Sequence, residues 1–272
     1  TGSPLVPESF DYVYEHIKAD VCLSSISGGT DILAGFADAC PILPVWRGEL
    51  QCRSLGMAVE VWDEDGKPLV GEKGELVCTK PFPCMPVGFW GDTDGQKYHN
   101  AYFARFKNIW CHGDYIEILP GTDGLVIHGR SDAVLNPGGV RIGTAEIYRI
   151  VENVEGVQDS LVLNLDLPGG RFFMPMFVVS KPGFTLDEAM QSRITQALRT
   201  QGSPRHVPDR YVAIAAVPYT LTGKKLEVPV RKILLGAAPE KVASRDAMMN
   251  PASLQFFVDF AGEVAQSASA AT

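Results

Sequence analysis

No stretch of this 272-residue sequence has the length and apolarity of a membrane span, and no basic run stands out among its 24 Lys and Arg residues. The first absence argues against a bilayer-crossing helix. The second removes the electrostatic footprint of a nucleic-acid partner, the more so because 32 Asp and Glu give a formal charge of −8. Cysteine is sparse. Cys22, Cys40, Cys52, Cys78, Cys84 and Cys111 form no CxxC pair, and none has a histidine at zinc-ligand spacing. Reduced, mostly buried thiols in a cytoplasmic protein are therefore expected. The opening TGSPLVPESF has neither the basic nor the apolar region of a signal peptide, and the missing initial Met suggests a truncated or processed chain.

What is present is the composition of a soluble globular protein, with 46% hydrophobic and 21% charged residues and length for one large domain or two ordinary ones. Phe10, Val13, Tyr14 and Ile17 recur at helical spacing and predict a helix from Ser9 to about Lys18. VCLSSIS reads as a buried strand ending in Gly28-Gly29-Thr30-Asp31, and a strand that stops in glycines is a usual place for a ligand. From Glu49 to Thr79 the pattern is β around the turn Asp63-Glu64-Asp65-Gly66. A short helix over 96–106 and a second hairpin around Pro120–Gly124 follow, so a small barrel or distorted sheet is expected.

After Arg130 the rhythm changes. VLNPGGVRIG reads as a hairpin, TAEIYRIVENV as a helix capped by Thr144 with Glu146 nearby, and VQDSLVLNLDL and RFFMPMFVVS as strands. A helix over 186–200, the strand YVAIAAVP and a helix over 228–235 complete a small α+β domain whose boundary falls near Ser131-Asp132. Beyond Gly236 the chain is rich in Ala, Ser and Glu, with one helix through Leu254, Phe257 and Val258 and an end, AQSASAAT, expected to be disordered.

Four segments carry chemistry. In Ser27-Gly28-Gly29-Thr30-Asp31, glycines let the backbone approach a phosphate, a hydroxyl can bond a phosphoryl oxygen and a carboxylate can hold Mg²⁺. In Trp110-Cys111-His112-Gly113-Asp114, an Asp at a strand end can accept bonds from both ribose hydroxyls. The long segment Gly129 to Tyr148 holds Arg130 and Arg141, whose guanidinium forks suit ribose or phosphate oxygens, and Asp132, placed where a hinge would be. In Thr220-Leu221-Thr222-Gly223-Lys224-Lys225, a lysine on a glycine-flanked loop can bring positive charge to a reacting carboxylate and phosphate. Taken singly, three of the four read more readily as a capped turn, a turn Asp and a solvated basic loop; the Gly129–Tyr148 segment alone favours function.

In order and spacing, SGGTD, WCHGD, GRSDAVLNPGGVRIGTAEIY and TLTGKK resemble the adenylate-forming superfamily of acyl-CoA synthetases, luciferases and peptide-synthetase adenylation domains. RFKNIWCHGD, the LN after Asp132 and GTAEIY are similar to its acetyl-CoA synthetase branch. GELQCRSLGMAVEVWD, PFPCMPVGFWGD, SPRHVP and TLTGKKLEVPV resemble its acetoacetate-activating members. The resemblance runs from Gly2 to about Gly236. It implies α/β and α+β architecture: residues 1–131 as the C-terminal, β-rich part of the large AMP-binding domain, 132–236 as a mobile α+β domain, and 237–272 as an extension.

The resemblance also implies two half-reactions. The acid attacks the α-phosphate of ATP to give an acyl-adenylate and pyrophosphate, and the CoA thiol then displaces AMP. Carried over by motif, Gly2, Ser3 and Pro4 line the adenine pocket, Gly29 and Thr30 meet the phosphate, and Asp31 lies near Mg²⁺. The family usually has Glu at that position. Asp114 and Arg130 hold the ribose, Arg141 reaches the phosphate side, and Lys224 is the adenylation lysine with Lys225 a lesser candidate. Asp132 is the hinge, and Gly139, Ser203 and Arg205 are CoA neighbours. Gly28 matches a bulky Trp of acetyl-CoA synthetases, so the pocket has room for a longer keto acid such as acetoacetate. The family's Ser/Thr/Gly-rich phosphate loop ending in Lys is absent from the 272 residues, so an N-terminally truncated fragment, inactive alone, is expected. The alternatives are a ligase for acetate or propionate and a non-catalytic nucleotide- or acyl-binding module.

Overall fold

In the computed structural model, the described residues are 1–2, 4–137, 140–167 and 171–269. Contacts divide the chain between Ser131 and Asp132 into two compact units.

The first unit opens with α1 (Pro7–Tyr12), prolonged by a π turn over Val13–Ile17. Pro7 sits in the first turn, where its missing N–H costs nothing, and Phe10 is the buried residue of the helix. A three-stranded antiparallel sheet is ordered β1 (Ser27–Gly29), β2 (Ala34–Asp38), β3 (Cys52–Arg53). The remaining strands are β4 (Val59–Trp62), β5 (Pro68–Leu69), β6 (Lys73–Cys78), β7 (Trp110–Ile118) and β8 (Leu125–Arg130), with α2 (Gln96–Tyr102) between β6 and β7. They form an antiparallel sheet in the order β5-β4-β6-β7-β8. The turn predicted at Asp63–Gly66 closes β4 onto β5. Asp63 Oδ1 accepts from the amides of Asp65 and Lys67 at 2.9 and 2.8 Å, and Gly66 takes φ +79°, where glycine has no Cβ penalty. Phe36, Leu76, Trp110, Ile116 and Leu125 form the fully buried centre of this unit.

The second unit contains α3 (Thr144–Val151), β9 (Val157–Val162), β10 (Leu165–Leu167), β11 (Arg171–Phe173), β12 (Pro175–Ser180), α4 (Glu188–Gln201) and β13 (Arg210–Ala213). It ends with α5 (Glu227–Leu234), α6 (Pro239–Val242) and α7 (Leu254–Ser269). The sheet order is β13-β12-β9. β12 runs antiparallel to β9 and parallel to β13, and α4 makes the crossover that a parallel pair requires. The period-2 geometry of β12 supplies two cores at once. Met176 and Val178 face the cluster containing Ile147, Ile150, Ile194 and Leu198 from α3 and α4. Phe177 and Val179 face the other, with Val230 and Ile233 from α5 and Phe257 and Phe260 from α7.

Four sequence expectations are corrected. Of VCLSSIS only Ser27 lies in a strand, because among the described residues no strand pairs with 21–26 to satisfy its N–H and C=O groups. The N-cap of α3 is Gly143, one residue earlier than Thr144, and Glu146 Oε1 reaches back to the Gly143 amide at 3.1 Å. The strand expected over YVAIAAVP is shorter, Arg210–Ala213. Within the extension, α7 runs further than expected, to Ser269, because Leu254, Phe257, Phe260 and Val264 lie on one face at helical spacing and are all buried; residues 270–272 of the end expected to be disordered lie outside the described residues.

Candidate active site

In the first unit, β7 and β8 bring two of the sequence-selected side chains, Asp114 and Arg130, into one cluster, with Ser27 of β1 beside them. Asp114 and Arg130 are direct cross-strand partners in the β7–β8 register. Arg130 Nη1 donates to Asp114 Oδ1 at 3.2 Å and to the His112 carbonyl at 3.1 Å. The other carboxylate oxygen of the buried Asp114 takes a long hydrogen bond from Ser27 Oγ, 3.5 Å, and lies 3.7 Å from His112 Nε2. Two glycines are required here. Gly113 has φ +82°, and a Cβ on it would stand 2.5 Å from Arg130 Nη2. A Cβ on Gly29 would stand 2.9 Å from the His112 ring.

Thr30 and Asp31 lie exposed in the tight turn between β1 and β2. That turn closes through Leu33 at φ +51°, a left-handed conformation that costs a non-glycine residue about 1 kcal/mol or more. The Asp31 carboxylate accepts a hydrogen bond from the Tyr102 hydroxyl, and the Tyr102 ring stacks on Trp110 at 3.6 Å. Burial, and then Asp31, hold the Tyr102 hydroxyl well above the usual phenol range, so it stays a donor. Beneath the cluster, the buried Glu75 accepts from the Gly113 amide at 2.9 Å and from Arg105 at 2.5 Å. Burial, with Glu75 beside it, pushes the Cys111 thiol up to about 12, so this cysteine is no nucleophile at neutral pH.

Gly28 carries a further constraint. A Cβ there would lie 2.0 Å from the Ala34 carbonyl oxygen and 2.7 Å from Gly35 Cα. These are backbone atoms of the paired strand, so any side chain at 28 forces β1 away from β2.

The second unit separates the two lysines. Lys225 is committed to structure. Its ammonium lies 2.5 Å from Glu152 Oε1, 2.9 Å from Asp159 Oδ1 and 2.6 Å from the Ser160 carbonyl oxygen, over the Tyr148 ring. Lys224 is exposed at the adjacent turn. Its amide donates to Thr220 Oγ1 at 3.0 Å and its carbonyl accepts from the Thr220 amide at 2.9 Å, while Gly223 at φ +79° completes the turn. Asp132 is exposed, and its carbonyl accepts from Arg231 at 3.0 Å. Arg141 is half-buried beside the Leu135–Ile142 bridge. Ser203 caps a short turn through His206 Nδ1 at 3.0 Å, with Arg205 exposed on it. Gly2 is half-buried and Pro4 exposed. Ser3 and Gly139 lie outside the described residues.

Reasoning from sequence alone missed Ser27, Glu75, Tyr102, Arg105 and His112. Of these, Ser27 and His112 stood inside selected segments and Arg105 opens the quoted RFKNIWCHGD, while Glu75 and Tyr102 stood in no motif.

No family model matches the chain. Among curated proteins, it is 52% identical over 257 residues to an acetoacetyl-coenzyme A synthetase of Rhizobium meliloti (strain 1021), covering 94% of this chain and 39% of that protein. It is 48% identical to the acetoacetyl-CoA synthetase of Gallus gallus, covering 94% of this chain and 38% of that protein. Among solved structures, the acetoacetyl-CoA synthetase from Streptomyces lividans superposes with a TM-score of 0.87 at 42% identity, covering 96% of this chain and 40% of that one. An anthranilate CoA ligase, AuaEII, in complex with anthranoyl-AMP shares the fold at a TM-score of 0.67 and 19% identity, covering 82% of this chain and 41% of that one. The chain thus spans about two fifths of the length of the curated relatives it matches.

Proposed function

This chain is a relative of the acetoacetyl-CoA synthetases within the adenylate-forming fold, and we propose that it supplies the ribose-holding and lysine-bearing part of an acid–thiol ligase. The observation that carries the reading is the Asp114–Arg130 pair with Lys224. One buried carboxylate is already oriented by an arginine, and one lysine is left exposed on a tight glycine turn.

In this reading, Asp114 accepts the two ribose hydroxyls of ATP, and Arg130, which holds Asp114 in place, donates to the same sugar. Gly29 and Thr30 meet the α-phosphate, Gly2, Ser3 and Pro4 line the adenine, and Arg141 serves the phosphate side. Asp31, aimed by the Tyr102 hydroxyl, would hold the Mg²⁺ that accompanies ATP. A single carboxylate plus substrate phosphates is the usual way Mg²⁺ is held. Lys224 supplies positive charge as the acid's carboxylate attacks the α-phosphate, where a preorganised cation is worth most. Asp132 is the proposed hinge, and Gly139, Ser203 and Arg205 are proposed to meet CoA. Cytoplasmic location is part of the same proposal. Among the described residues, no helix is long and apolar enough to cross a membrane.

The acid is proposed to be acetoacetate, from the relatives named above. The test uses the protein expressed with the upstream sequence of its own reading frame. Pyrophosphate release is measured with acetate, propionate, acetoacetate and 3-hydroxybutyrate. Highest kcat/KM with acetoacetate supports the assignment, and a preference for acetate or propionate overturns it.

A further inference from the structure

The loop that presents Lys224 is held from both sides, and one side is the C-terminal extension. On one limb, Lys225 is locked to Glu152 and Asp159. On the other, the segment 247–250 runs alongside 217–221. The Leu221 amide donates to the Ala247 carbonyl at 2.9 Å, and the Met249 amide donates to the Tyr219 carbonyl at 3.0 Å.

Asn250 completes this pairing with its side chain. Its Oδ1 accepts from the Tyr219 amide at 2.9 Å, and its Nδ2 donates to the Val217 carbonyl at 2.7 Å. Those two groups, two residues apart on one extended segment, are spaced like the pair that a single residue of a parallel neighbour satisfies with its own N–H and C=O. The carboxamide takes that residue's place, because it alone among short side chains offers a donor and an acceptor side by side. Asn250 is itself fixed. Its carbonyl accepts from Ser253 Oγ at 2.6 Å and from the Ser253 amide at 3.0 Å, ahead of α7. On either side of it, Met248, Leu254 and Phe257 are buried in the second unit's core. Thr220, the next residue after the clamped Tyr219, makes the hydrogen bonds that set the Lys224 backbone.

We propose that Asn250 is a positioning residue for adenylation, acting through the Thr220–Lys224 turn and anchored by α7. The proposal rests on the reading of Lys224 as the adenylation lysine. It assigns the C-terminal extension a part in the first half-reaction.

The test compares wild type, Lys224→Ala, Asn250→Ala, Asn250→Asp and the double variant Lys224→Ala/Asn250→Ala in the upstream-extended protein. Two readouts are taken: acetoacetate-dependent ATP–pyrophosphate exchange, and thioester formation from supplied acetoacetyl-adenylate and CoA. Asn250→Ala is expected to lower exchange about 10- to 100-fold, as small misplacements of catalytic groups do, with thioester formation held within about two-fold. Asn250→Asp keeps the acceptor for Tyr219 and loses the donor to Val217, so a smaller loss confined to exchange is expected, and this variant decides if Asn250→Ala does not fold. In the Lys224→Ala background, the Asn250 change should cost nothing further. Equal loss of both half-reactions, unchanged exchange in both Asn250 variants, or a full additional loss in the double variant overturns the positioning role while leaving Lys224 in place. Unchanged exchange in Lys224→Ala overturns the lysine assignment and the positioning role together.

Discussion

Replacing Lys225 with Met asks whether two adjacent lysines, identical in chemistry, do separate jobs. The Lys225 side chain is 15% exposed, and its partners Glu152 and Asp159 are 35% and 20% exposed. Its ammonium satisfies both carboxylates and the Ser160 carbonyl within 2.9 Å. Removing one member of a fully buried ion pair costs roughly 3–5 kcal/mol, and of an exposed pair less than about 1 kcal/mol. This site stands nearer the buried limit, so about 2–4 kcal/mol is expected after allowing for solvent screening. The assay is urea unfolding of the 272-residue chain. All four tryptophans, Trp46, Trp62, Trp90 and Trp110, precede Asp132, so fluorescence follows the first unit and far-UV circular dichroism follows both. A slope of roughly 1–3 kcal/mol per molar urea puts the midpoint shift at about 1–2 M. That shift should be confined to the transition that fluorescence does not see. Lys224→Met is the control and should stay within about 0.5 kcal/mol of wild type. A Lys225→Met loss inside that same margin, or an equal loss from Lys224→Met, refutes the division of labour.

Two further outcomes concern the second unit. Phe257 is fully buried, with its ring 4.9 Å from that of Phe177, so Phe257→Ala should destabilise this unit by about 3–5 kcal/mol in the same unfolding assay, and a loss under about 1 kcal/mol would show that α7 is not part of the core. Burial raises the Glu227 carboxyl above its ordinary value of 4.5, because its end is surrounded by protein although the residue as a whole is half-exposed. The folded state therefore holds that proton more tightly, and stability falls as pH rises from about 4.5 through the raised folded value. Glu227→Gln keeps an acceptor for the Tyr148 hydroxyl, now 2.6 Å away, and should remove that part of the slope and be more stable than wild type at pH 7. A steeper slope or a less stable variant would contradict the sign.

The parts of the fold legible in the sequence were those specified by neighbours along the chain. Asp63 and Gly66 announce their turn because an Asx side chain and a left-handed glycine act within four residues. The β7–β8 hairpin was legible from apolar alternation and its Pro-Gly-Thr-Asp-Gly tip, and its register then carried Asp114 to Arg130. What failed depended on distant partners. VCLSSIS has the composition of a strand but no pairing strand among the described residues, and composition cannot supply one. Tyr102 orients Asp31 from 71 positions away, and Glu75 reaches the Gly113 amide across 38. Neither carries a local signal. Lys224 and Lys225 differ only in what surrounds them, so the motif could rank them while packing separates them. Gly28 was read as room for a substrate, and the structure adds a cross-strand contact that requires glycine for its own reason. A bulky residue there would part β1 from β2 and would not report on the acid.

The central claim is that this chain carries the adenylation lysine of an acid–thiol ligase on the Thr220–Lys225 turn. Its most direct test is the pair of half-reactions in the upstream-extended protein bearing Lys224→Ala. Acetoacetate-dependent ATP–pyrophosphate exchange should fall by about 10²–10³, the usual loss on removing one preorganised electrostatic group, while supplied acetoacetyl-adenylate is still converted to the CoA thioester at near the wild-type rate. Exchange at the wild-type rate, or an equal fall in both half-reactions by a folded variant, would contradict the account.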